Sequence, residues 1–157
     1  GKYPVPPTLP GLLGYEAAGI VEATGAGVAG LAPGERVCVL PSFRLGQYGV
    51  CAERSIVPAR SCIAAPAQLS PIEAASIWMQ YFTAFGIVES GHAGVGDFVL
   101  IPAASSSVGL AAIQIANWIG AESIALTRTS ANSVGFKGTV IDIEFSSPPP
   151  IARPIVV

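Results

Sequence analysis

Residues 103–109 read Ala-Ala-Ser-Ser-Ser-Val-Gly and join an apolar run, Phe98 to Ile101, to an apolar stretch, Leu110 to Ile119. Small residues at such a junction suit one chemistry, the close approach of backbone to an anion. A pyrophosphate sits on the free N–H groups of a helix N-terminus, where the dipole favours negative charge, and only small residues let the backbone come that near. Glu122 to Thr127 follows as a second strand pattern. Residues 98–127 therefore predict strand, turn, helix and strand, the opening of a dinucleotide-binding unit. Ser105, Ser106, Ser107, Val108 and Gly109 are the candidate cofactor-binding residues of the turn, with Gly109 letting the helix pack on the strand. The glycines of the usual G-x-G-x-x-G fingerprint are here Ala and Ser, and Ser is also an ordinary helix N-cap.

The end of the second strand reads Thr127-Arg128-Thr129-Ser130. Enzymes that use NAD usually place Asp or Glu there for the ribose 2′-hydroxyl. An arginine with hydroxyl neighbours suits a 2′-phosphate through charge-assisted hydrogen bonds. Thr127, Arg128 and Ser130 are thus candidate cofactor residues, and NADP(H) is preferred to NAD(H). The competing reading makes Arg128 a solvated loop charge.

The remaining polar chemistry is sparse. His92 is the only histidine and lies in a Gly-rich loop; Cys38, Cys51 and Cys62 lack C-x-x-C spacing. No metal site is expected, since clustered Cys and His mark one. Cys38 sits in Arg-Val-Cys-Val-Leu and reads as a small core hydrophobe. An odd cysteine count without a secretory pattern argues for reduced thiols.

These residues are set in a chain of 157 residues with net charge −2 and 11% charged residues. Its mean hydropathy is +0.59, unusually apolar for a globular chain, where charged residues are typically about 25%. A large buried face, such as a subunit interface, is implied. No apolar run reaches the about 18 residues of a membrane span, and the N-terminus has no signal-peptide pattern, so a cytoplasmic protein without a membrane partner is expected. Without a basic stripe, nucleic acid has no electrostatic support.

Residues 10–66 predict short strands punctuated by Gly and Pro: Gly19 to Thr24, Glu35 to Leu40, Tyr48 to Val57 and a stub at Cys62 to Ala64, with a turn at Pro33-Gly34. Ser70-Pro71-Ile72-Glu73 is a capping box with Pro at the first helical position, opening a helical stretch to about Glu89 with a break near Gln80. Gly91 to Gly96 is a loop. Thr139 to Glu144 reads as a strand and Ser146 to Pro150 as a Pro-rich turn, but parallel strands need a crossover of about a dozen residues or more.

The segments 9–21 (Leu-Pro-Gly-Leu-Leu-Gly-Tyr-Glu-Ala-Ala-Gly-Ile-Val), 31–39 (with Pro-Gly-Glu-Arg-Val), 47–53 (Gln-Tyr-Gly-Val-Cys-Ala-Glu), 80–85 (Gln-Tyr-Phe-Thr-Ala-Phe) and 103–109 occur in the order of motifs that resemble the medium-chain dehydrogenase/reductase superfamily, in its zinc-free quinone-reductase branch. The resemblance covers residues 4–130. It implies an α/β chain (α+β overall): part of a GroES-like β-barrel over residues 1–75, then an incomplete Rossmann doubly wound domain over 76–157, with 132–157 atypical. It also implies a homodimer or homotetramer. Where zinc-dependent relatives carry His before the Glu of G-x-E-x-x-G, this chain has Tyr15. Without a Lewis acid, hydride transfer to a conjugated double bond is favoured, because an enone carbonyl spreads the developing charge. By resemblance Thr83 lies near the nicotinamide ribose, Glu16 is structural, and Tyr48 is the candidate catalytic residue, facing the cleft to hydrogen-bond a carbonyl oxygen; as a plain strand aromatic, Tyr48 would cover the barrel instead.

The resemblance further implies a longer N-terminal segment before Gly1 and more Rossmann domain after Arg128. Residues 138–150 resemble a later strand and loop of the family, which implies an internal gap. The expected function is an NADPH-dependent, zinc-independent reductase of quinones or α,β-unsaturated carbonyls. The alternatives are a non-catalytic nucleotide-binding fragment or interaction protein, and an alcohol dehydrogenase-like enzyme.

Overall fold

The structure, a computed structural model, describes residues 10–44, 46–127 and 138–142. The chain divides into two compact units, Gly1–Met79 and Gln80–Val157.

The first unit is built on an antiparallel sheet, β1 (Ala17–Ile20), β2 (Arg36–Val39) and β3 (Cys62–Ala64), with β2 central. Ala18 faces Cys38, and Cys38 faces Ile63. Val37, Cys38 and Val39 are buried, as apolar residues of a central strand should be. Pro33-Gly34 turns the chain into β2, with Glu35 N–H donating to Ala32 O at 3.2 Å. β1 begins and ends earlier than the expected Gly19 to Thr24, because its partners run from Val39 back to Arg36 and set its register.

Tyr48 to Val57 is not a strand: Tyr48 makes an isolated bridge and residues 51–54 bend. Here two backbones cross at close range instead of forming a ladder. Cys51 N–H donates to Leu13 O at 2.9 Å, and a Cβ on Gly49 would stand 2.6 Å from Leu13 O.

The capping box is present. Ser70 Oγ accepts from Glu73 N–H at 3.3 Å, and Ser70 N–H donates to Glu73 Oε2 at 2.8 Å, opening α1 (Pro71–Ser76). The helical stretch breaks at Ile77, three residues earlier than expected, and resumes as α2 (Trp78–Ser90).

The second unit carries a parallel sheet, β4 (Phe98–Ile101), β5 (Glu122–Thr127) and β6 (Thr139–Asp142), in the order β4-β5-β6. Helix α3 (Ser107–Trp118) links the first two strands. β6 pairs parallel with β5, Thr127 facing Asp142, at the edge of this sheet. The core joins Ala84 and Val88 of α2, Ile101, Ala104, Ala111, Ala112, Ile113 and Ile115 of α3, and Ala125. Strand alternation puts Ile101 and Ala125 on this covered face, while Phe98 and Leu100 on the other are 67% and 58% exposed. The expectations for Arg128, Ser130, the Pro-rich turn and the apolar 151–157 lie outside the described residues.

Among the described residues no helix is long and apolar enough to cross a membrane.

Candidate functional site

The turn between β4 and α3 is made almost wholly by its own neighbours. Ala103 takes φ +54°, a left-handed conformation that is uncommon for a residue with a Cβ. This brings Ala103 O to accept from Ser106 N–H at 2.9 Å. Ala104 is fully buried, and its N–H donates to Leu126 O at 3.2 Å. The turn is thereby fastened to the C-terminal end of β5, beside Thr127. In open parallel sheets the ligand crevice lies at these carboxyl ends.

Ser106 is the N-cap of α3: its backbone is extended and its Oγ accepts from Gly109 N–H at 3.1 Å. Its own carbonyl receives Leu110 N–H at 2.8 Å. The three serines therefore divide. Ser106 spends its hydroxyl inside the helix, while Ser105 and Ser107 stand exposed on either side. The N–H groups of Ser107 and Val108 belong to the first turn, where no helical acceptor exists. Val108 is half-buried and packs against the core.

Gly109 is buried where the first turn of α3 meets the turn backbone. A Cβ there would lie 2.7 Å from Ala103 O and 2.8 Å from both Cα and O of Ala104. No side chain fits without moving that backbone, so only glycine seats the helix this deeply.

Thr127 ends β5 and is buried. Thr83 lies on α2, exposed, next to Ala84, which is buried in the same core as Ala104. The turn that carries residues 105–109 is thus tied to β5 one residue before Thr127, through Ala104 and Leu126, and Thr83 lies on α2, whose Ala84 and Val88 share a core with Ala104. Arg128 and Ser130 lie outside the described residues.

Tyr48 belongs to the first unit. It meets Phe43 edge-on, with ring centroids 5.8 Å apart, and Phe43 stacks on Tyr15 at 5.5 Å. Tyr48 is half-buried and covers the buried Phe43. The same unit has an open, mostly apolar groove lined by Ala17, Gly19, Val21, Val37, Val39 and Val57; Tyr48 is not among its lining residues.

His92 is exposed at φ +52°, closing the end of α2 with its N–H on Glu89 O at 3.0 Å. Among the described residues no three His, Cys, Asp or Glu side chains gather as a metal site. The three cysteines are free, and burial pushes the Cys62 thiol above its ordinary pKa.

Two features went unread in the sequence. The left-handed Ala103 carries no residue signal, since glycine or asparagine would ordinarily mark such a position. Glu16 Oε2 accepts from Trp78 N–H at 2.7 Å and Met79 N–H at 3.0 Å. The only hint is negative: Ile77, just before α2 resumes, offers no capping side chain.

Residues 1–67 match the alcohol dehydrogenase GroES-like domain family. The chain is 41% identical over 111 residues to the spectinabilin polyketide synthase system protein NorB of Streptomyces orinoci, covering 70% of this chain and 5% of that protein. It is 33% identical over 123 residues to a quinone oxidoreductase of Pongo abelii, covering 76% of this chain and 36% of that one. Among solved structures, an NAD-dependent alcohol dehydrogenase superposes with TM-score 0.76 at 30% identity, over 87% of this chain and 48% of that one. The Escherichia coli quinone oxidoreductase in complex with NADPH gives TM-score 0.75 at 30% identity, over 88% and 43%. The JamJ enoyl reductase gives 0.65 at 34% identity, over 82% and 38%. The chain spans about a third of the length of the quinone oxidoreductase and a far smaller share of the polyketide synthase protein.

Proposed function

The chain belongs to the medium-chain dehydrogenase/reductase superfamily as a quinone-oxidoreductase-like member, and from that premise we propose that it serves an NADPH-dependent, zinc-independent reduction of a quinone or an α,β-unsaturated carbonyl. The observation that carries the reading is the division of labour at the start of α3. Ser106 caps the helix, and the first-turn N–H groups of Ser107 and Val108, with the exposed hydroxyls of Ser105 and Ser107, are left to face an anion. These residues fit the pyrophosphate of a nicotinamide dinucleotide. Thr127, Arg128 and Ser130 would bind the 2′-phosphate, and Thr83 the nicotinamide ribose. The cofactor supplies hydride.

Tyr48 is the group we assign to the substrate's carbonyl oxygen, where a phenol can donate a hydrogen bond and later a proton. Tyr15, at the position where zinc-dependent relatives carry histidine, supports chemistry without a metal. A homodimer or homotetramer and a cytoplasmic location belong to the same reading.

Similarity to polyketide synthase proteins and to an enoyl reductase favours a conjugated carbonyl, such as an enoyl thioester, over a quinone. The test is NADPH oxidation by the purified chain with three acceptors. Turnover of an enone or enoyl thioester, and not of a plain ketone, is the expected result. Turnover of the ketone would favour alcohol dehydrogenase-like chemistry. NADPH binding with no acceptor reduced would leave a non-catalytic nucleotide-binding protein.

A further inference from the structure

We propose that Phe43 is a positioning residue for the Tyr48 phenol, the group that meets the substrate's carbonyl oxygen in the proposed reaction; the inference rests on that reading. Residues 13–15 and 48–51 cross at two glycines, each making room for the other segment. Cys51 N–H donates to Leu13 O at 2.9 Å. A Cβ on Gly14, which stands at φ +90°, would lie 2.7 Å from the Cys51 nitrogen, and one on Gly49 would lie 2.6 Å from Leu13 O. Neither position admits a side chain unless backbone moves. A tyrosine flanks each glycine: Tyr15 follows Gly14, and Tyr48 precedes Gly49. The crossing therefore fixes the backbone from which both tyrosines project, and it leaves their side-chain torsions to be set by packing.

Phe43 supplies that packing. It is 7% exposed, whereas Tyr15 and Tyr48 are half-buried. Its ring stacks on Tyr15 with 5.5 Å between centroids and 21° between planes. It meets Tyr48 at 5.8 Å and 74°. Stacked and edge-to-face pairs are the two arrangements that ring quadrupoles favour. A tyrosine ring held this way keeps one orientation, and its hydroxyl, at the far end of a rigid side chain, keeps one place. A hydrogen-bond donor in catalysis needs that, because a misplacement of about 1 Å can cost about a hundredfold in rate. An aliphatic side chain would fill much of the space of Phe43 but would offer no ring face to orient Tyr48. Phe43 carries no polar side-chain atom, so its part in the reaction runs through Tyr48 alone.

The test is a double-mutant cycle on the full chain, with cyclohexenone as acceptor and NADPH as donor. Tyr48→Phe should lower kcat by about a hundredfold, the scale of a lost proton donor. Phe43→Leu should lower kcat by about tenfold with KM for NADPH unchanged. Added to Tyr48→Phe, Phe43→Leu should lower kcat no further, because the group it positions is already gone. Phe43→Tyr keeps the ring and should recover most of the loss. If Phe43→Leu does not fold, Phe43→Met, whose flexible side chain adapts to the same space, takes its place in the cycle. Additive losses in the double variant overturn the proposal, since Phe43 would then act on the fold and not through Tyr48. Wild-type kcat in Phe43→Leu overturns it equally. Wild-type kcat in Tyr48→Phe defeats the assignment of Tyr48 itself. A wild type that reduces no enone defeats the catalytic reading beneath both, a failure seen before any variant is made.

Discussion

Helices α2 and α3 begin in opposite ways. The start of α3 is assembled from its own neighbours: Ala103 bends the chain, Ser106 caps, and Gly109 lets the first turn sink onto Ala103 and Ala104. The start of α2 depends on Glu16, far away in sequence. A locally built start is rigid and sequence-encoded, which suits a surface meant to meet an anion. The start of α2 is held from outside the helix, by a residue just ahead of β1, and its capping is therefore a tertiary property of the fold.

The strongest way to break the comparison is to fill Gly109. Gly109→Val places side-chain atoms on the backbone of Ala103 and Ala104, and overpacking of this kind should cost about 3 kcal/mol, read as a lower denaturant midpoint. Glu16→Ala should cost about 2 kcal/mol in the same measurement, since it removes a charged, part-buried acceptor from two N–H groups. Ser106→Ala should cost about 1 kcal/mol, the usual worth of a serine cap. Ser105→Ala and Ser107→Ala sharpen the contrast: each should leave stability within about 0.5 kcal/mol while weakening NADPH binding in titration. Equal stability losses at all three serines would contradict the division of roles.

The smallest effect concerns α1. Hydrogen bonds from the Ser70 side chain and backbone hold the Glu73 carboxyl below the ordinary carboxylate pKa. A depressed folded-state pKa means the contribution is complete above the unfolded value and is lost as pH falls through the lower folded one. An NMR titration of Glu73 should show this depressed midpoint, and Glu73→Gln should remove the corresponding slope from the acid limb of the stability curve.

Legibility in the sequence follows the same divide. The capping box, the Pro33-Gly34 turn and the β4–α3–β5 unit were readable because each is specified within a few residues. Ser106 as cap and Gly109 as the close-contact glycine are parts of one short string. The break falls at Ile77 and not near Gln80 because the helix pattern runs on through both, and the Glu16 carboxylate that meets the first N–H groups of α2 comes from a distant segment. Tyr48 to Val57 looked like a strand by composition, yet pairing is a tertiary property, and the crossing of Gly49 with Leu13 replaced it. The register that shifted β1 is likewise set by its partner. The sequence offers Tyr48 as a candidate catalytic residue or as an aromatic covering the barrel, and its packing on Phe43 depends on a fold no local pattern encodes.

The most direct test of the central claim is an amide NMR titration of the chain with NADPH. The account predicts the largest shifts at Ser105, Ser107 and Val108, with smaller ones at Thr127 and Thr83. Saturating NADPH that leaves residues 103–109 unmoved, or that moves only residues remote from them, would contradict it.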